Sequence, residues 1–164
     1  MRLLLTSTHR TTFIEDDLDL LGKHFDVEYL QTTGIGSLPA ILRSIRRNDV
    51  TFTWFASVYA AAVVWCARLL RKKSIIVVGG VDVANHPEID YGIWRSPWKA
   101  RLVRYALRHA DRVLVVDPSL QAKATSLAAY NGANICYVPT GYDAARWHPA
   151  GTKERIVLTV AKCE

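Results

Sequence analysis

Cysteine is scarce in this sequence: Cys66, Cys136 and Cys163 are odd in number, far apart and in no Cys-x-x-Cys or Cys/His ligand spacing. Neither a disulfide framework nor a zinc site is indicated, and a reducing compartment fits. Long apolar runs are scarce as well. The longest, Phe55 to Leu70, is interrupted at Arg68 and followed by Arg71-Lys72-Lys73. It falls short of the ~20 residues a spanning helix needs, so it reads as a buried helix between two strands. Met1 to Ser7 is too short and too poorly flanked for a secretory signal and reads as a first buried strand. The sequence has no internal repeat, low-complexity tract, Ser-His-Asp order, P-loop or metal motif.

Acidic residues are outnumbered, 15 Asp and Glu against 21 Lys and Arg, for a net charge of +6. The imbalance is local. The amino-terminal region is acidic through Glu15, Asp16, Asp17, Asp19, Asp26 and Glu28, and the basic excess lies downstream. Arg95, Lys99, Arg101, Arg104 and Arg108, with Trp94 and Trp98 beside them, give the segment 96–109 a basic, aromatic-edged character. A basic amphipathic helix with interfacial tryptophans can sit on an anionic membrane surface. The plainer alternative is the solvated face of a basic protein. No nucleic-acid fold signature is present, so nucleic acid is not an expected partner.

What is present reads as alternating β and α. With 164 residues, 50% hydrophobic and 22% charged, the chain can bury a sizeable core. Strands are expected at 3–7, 27–30, 50–55 and 75–78, and helices at 13–23, 38–46, 57–70 and 96–109. Arg112 to Val116 is a continuous β-branched apolar run, as in a strand buried on both faces of a parallel sheet. Asp117-Pro118 then supplies an N-cap and a first-turn proline, and Asn131-Gly132 a left-handed stop before a short strand at 135–138. Pro139-Thr140-Gly141-Tyr142-Asp143 follows at a strand's carboxyl end, where open α/β sheets place ligand crevices.

Three phrases carry a family resemblance. "HADRVLVVDPSLQAKA" is similar to the last strand-helix unit of the N-terminal domain of family-four glycosyltransferases, and "YVPTGYDAARWHP" to their passage into the linker. "ERIVLTVAKCE" is similar to the first strand of their second domain. The resemblance implies one half of a GT-B fold. That half is a Rossmann-like open parallel sheet with helices on both faces over 1–141, then a linker over 142–153 and the start of a donor-binding domain over 154–164. It further implies a retaining, metal-independent transfer from a nucleoside-diphosphate sugar, with no tightly bound cofactor, to an acceptor that is lipid-linked or a polysaccharide. The donor half would come from a second domain or a partner chain, and the enzyme would work in the cytoplasm, peripheral to the inner face of the membrane. A chain limited to these residues would turn over little. The alternative is a non-catalytic acceptor-binding subunit serving a separate donor-binding chain.

Four loops are candidates for the site. After strand one, where the family often has a glycine-rich turn, Arg10 can meet a phosphate or carboxylate and Thr11 and Thr12 can donate hydroxyls, Thr12 being equally a helix N-cap. Gly79 and Gly80 permit positive φ and close ligand approach. Asp82 stands where the resemblance places a sugar-contacting histidine. It is the catalytic candidate, with turn capping as its structural alternative. Asn85, His86, Glu88 and Tyr91 form a polar, aromatic loop suited to sugar or acceptor recognition, and His86 with Glu88 makes either an acid-base pair or a solvated pair. Gly141 and Tyr142 mark the hinge.

Overall fold

A computed structural model of the chain describes residues 1–32 and 35–141. The expected linker, Tyr142 and the strand at 154–164 lie outside the described residues. The elements are β1 (Arg2–Ser7), α1 (Thr12–Gly22), β2 (Asp26–Gln31), α2 (Leu38–Arg47), β3 (Val50–Trp54), α3 (Val58–Leu69), β4 (Lys73–Val78), α4 (Pro97–His109), β5 (Arg112–Val115), α5 (Pro118–Ala128) and β6 (Ile135–Tyr137). Three short 3-10 turns, Val81–Val83, Pro87–Ile89 and Ile93–Arg95, replace a regular helix between β4 and α4. This is an α/β Rossmann-like fold.

The six strands are all parallel, in the order β2-β1-β3-β4-β5-β6. The chain reverses its direction of travel across the sheet between β1 and β3. In a doubly wound sheet this reversal opens a crevice at the strands' carboxyl ends. Period-two alternation sorts the core: Leu4 faces α2 and α3, while its neighbours Leu3 and Leu5 face α1. Ile76 and Val78 likewise pack with α3, α4 and α5, and Val77 packs on the α1 side. One face of the sheet thus carries α1 and the other carries α2 to α5.

The apolar run is explained without a membrane. Within α3, Ala60, Ala61, Val63, Val64, Cys66 and Ala67 are buried against the sheet and the flanking helices. Among the described residues no helix is long and apolar enough to cross a bilayer.

Two expected helix caps move. Helix α1 begins at Thr12, so Thr11, not Thr12, takes the N-cap position, and its side chain makes no capping bond. Helix α5 ends at Ala128, with Ala129 left-handed at φ 52° as its C-cap, and does not reach Gly132. The reason lies in α4. Arg104 donates to the Leu127 carbonyl at 3.2 Å, and Arg108 donates to the carbonyls of Ala128 and Ala129, satisfying the helix end a turn early.

Candidate functional site at the carboxyl edge of the sheet

The β1–α1 loop forms one side of the switch point. Gln31 donates to the Thr8 carbonyl at 3.0 Å, and the Ser7 hydroxyl lies 3.0 Å from that of Tyr29. Arg10 makes a two-pronged ion pair with Glu15 and lies 5.3 Å from the Tyr29 ring centroid. Two of its five guanidinium donors are therefore engaged, and its side-chain bond holds Glu15 below the usual carboxylate range. The Thr11 hydroxyl is buried with no hydrogen-bond partner among the described residues, while Thr12 is exposed on the first turn of α1.

Asp82 organises the neighbouring loops. It is 1% exposed. Its carboxylate accepts from Ala56 N at 2.9 Å, Gly80 N at 2.8 Å and Gly79 N at 3.4 Å, and Trp94 donates its indole N–H to the Asp82 carbonyl at 2.7 Å. One side chain thus ties the turn after β3 to the turn after β4. Burial pushes the Asp82 carboxyl above its ordinary range, against the pull of the backbone donors, Ala56 first. The side chain faces inward, toward these amides.

The two glycines divide their labour. A β-carbon on Gly79 would come within 2.5 Å of the Phe55 ring, so its missing side chain makes room for Phe55. Gly80 has φ 129° and open space around it, leaving its backbone approachable from solvent. Phe55 itself has φ 68°, a strained conformation for a bulky residue, and joins Phe13 and Trp54 in an aromatic cluster with centroids 4.8 to 6.1 Å apart.

The third loop is a small hairpin. His86 N donates to the Tyr91 carbonyl at 2.8 Å and Tyr91 N donates back to the His86 carbonyl at 3.0 Å. Gly92 closes it with φ 111°, where any β-carbon would overlap the Ala84 carbonyl. The His86 Nδ1 lies 3.1 Å from Glu88, and both are exposed. The Glu88 carboxylate is held below its ordinary range by its own backbone N–H and then by His86. Asn85 and His86 line a cavity of about 440 Å³ with Lys123 and Ser126 of α5. Gly141 is exposed, and a β-carbon there meets nothing.

The basic helix splits into two groups. Trp94 is buried beneath Arg104, and Arg104 and Arg108 are committed to the end of α5. Trp98, Lys99 and Arg101 remain exposed. Among the described residues no three His, Cys, Asp or Glu side chains gather as a metal site would require.

No protein-family model matches this chain, and no curated protein matches it. The site is therefore read from its geometry. Sequence reasoning missed Phe55, Phe13, Lys123 and Ser126. The non-glycine left-handed φ of Phe55 leaves no compositional trace, and nothing local to α5 marks Lys123 and Ser126 as lining a cavity.

Proposed function

We propose that this chain is the acceptor-side, Rossmann-like domain of a GT-B glycosyltransferase resembling family four. It serves transfer of a sugar from a nucleoside-diphosphate donor, with retention and without a metal, at the cytoplasmic face of a membrane. The observation that supports this most is the Asp82 carboxylate tying the turn after β3 to the Gly79–Gly80 turn after β4, at the carboxyl ends of strands next to the switch point. In this reading Gly80 offers backbone to the transferred sugar. Asn85, His86 and Tyr91 meet hydroxyls, and Asp82 positions both loops from beneath. The donor nucleotide is held by a second domain or by a partner chain.

The buried, fully engaged Asp82 also favours the second reading, a non-catalytic acceptor-binding subunit. Both are tested by incubating the chain with labelled nucleotide sugars and acceptor extracts, alone and with a polypeptide carrying a donor-binding domain. Transfer only in the combined reaction, reduced about tenfold or more in kcat/KM by His86→Ala with the fold intact, supports the enzyme reading. Transfer at normal rates by this chain alone contradicts it.

A further inference from the structure

On the face opposite α1, residues of α2, α3 and α4 line a groove of about 710 Å³ that extends to Thr8 and Ser57, beside the switch point. Its walls are apolar. Val58, Ala62 and Trp65 stack along one face of α3, and Trp98, Leu102 and Tyr105 along one face of α4, at helical i, i+4 and i+7 spacings. The small Ala62 leaves room between them. Trp65 and Trp98 are 53% and 56% exposed, a large apolar investment for a solvated surface.

The helices of this face carry charge of one sign. Helices α2, α3, α4 and α5 contain arginines and lysines but no aspartate or glutamate, whereas α1, across the sheet, contains Glu15, Asp16, Asp17 and Asp19. Lys99 lines the groove with its ammonium 5.6 Å from the Trp98 ring centroid and has no carboxylate partner among the described residues. We propose that this groove binds the aliphatic chain of an anionic amphiphile taken from a membrane surface, with Lys99 at its charged headgroup. An apolar groove with a lysine and two exposed tryptophans on its walls suits a hydrocarbon tail under an anionic head. A second copy of this chain suits it poorly, because a symmetric contact would bring two cationic faces together. That the amphiphile is the sugar acceptor rests on the function proposed above, whereas tail binding does not.

The test uses monomeric hexadecyl phosphate and its shorter alkyl homologues, with no sugar donor present, read by tryptophan fluorescence and calorimetry. The expected result is saturable one-site binding that weakens about fourfold for each methylene removed. Ala62→Trp fills the channel and weakens binding at least tenfold at unchanged Tm. Trp98→Ser, at an exposed position, weakens it independently of any folding effect. Lys99→Glu lowers affinity for the alkyl phosphate but not for a neutral alkyl glycoside. Vesicles of phosphatidylcholine with phosphatidylglycerol sediment the chain in a salt-sensitive way, and pure phosphatidylcholine vesicles do not. Absence of saturable binding, binding indifferent to both Ala62→Trp and Trp98→Ser, or a dimer that Ala62→Trp dissociates would overturn the assignment. Tail binding in a chain that supports no sugar transfer would leave the groove standing and remove only the acceptor role.

Discussion

The Asp82 carboxylate accepts the backbone N–H of Ala56 at 2.9 Å, joining two turns that are 26 residues apart in the chain. That oxygen also faces Gly79 N, so Asp82→Asn must point an amide NH2 at donors or forgo one of the acceptor positions. The substitution is expected to lower unfolding free energy by about 1–3 kcal/mol, the cost of leaving buried donors unmet. Chemical denaturation measures it. An unchanged midpoint would show that Asp82 does not hold the loops.

Gly92 and Gly36 make a paired test. Gly92→Ala would drive a β-carbon into the Ala84 carbonyl at φ 111°, whereas a β-carbon on Gly36 meets nothing. Gly92→Ala is expected to abolish the reciprocal His86–Tyr91 hydrogen bonds, seen as lost amide protection at those two residues. Gly36→Ala should change stability by no more than about 0.5 kcal/mol.

Asp111 provides the pH signature. Burial acts to raise its pKa, but Lys73 at 2.8 Å and the Ser74 N–H at 3.0 Å together hold it below the ordinary carboxylate value. A depressed folded-state pKa contributes stability above the unfolded value of about 3.9 that is lost as pH falls through the folded value. Asp111→Asn should therefore flatten the decline of Tm below about pH 4, with the two proteins converging in strong acid. A decline of equal slope in the variant would contradict this.

Arg108 and Lys99 sit on one helix with opposite expectations. Arg108→Gln removes donors from the exposed end of α5 and should cost about 1 kcal/mol, since water can replace part of the lost bonding. Lys99 has no hydrogen-bonded partner among the described residues and only the Trp98 ring near its ammonium, so Lys99→Gln should leave the thermal midpoint unchanged. Thermal unfolding of the two variants separates the structural arginine from the surface lysine.

The fold was readable because its signals are local. The β-branched run at 112–116, the Asp117-Pro118 cap and start, and the apolar stretch at 57–70 each appear where short-range chemistry places them. Asp117 does accept from Ser119 N, at 2.8 Å. The α5 stop was misplaced because it is set by Arg104 and Arg108 from another helix, a long-range bond with no local trace. The site was legible as a set of loops, since glycine pairs and strand ends mark themselves. The inward turn of Asp82, the pairing of Arg10 with Glu15 and the left-handed Phe55 depend on which loop meets which.

The central claim, that this is an acceptor-side domain, is tested most directly by titrating the chain with a panel of nucleotide sugars, candidate acceptors and anionic vesicles, by calorimetry together with protein-observed NMR. The account predicts binding of an acceptor or of anionic vesicles, with broadening at Asn85, His86, Tyr91 or Trp98, and no tight nucleotide binding. Tight binding of a nucleotide by this chain alone would contradict it, and would make the carboxyl edge of the sheet a nucleotide site.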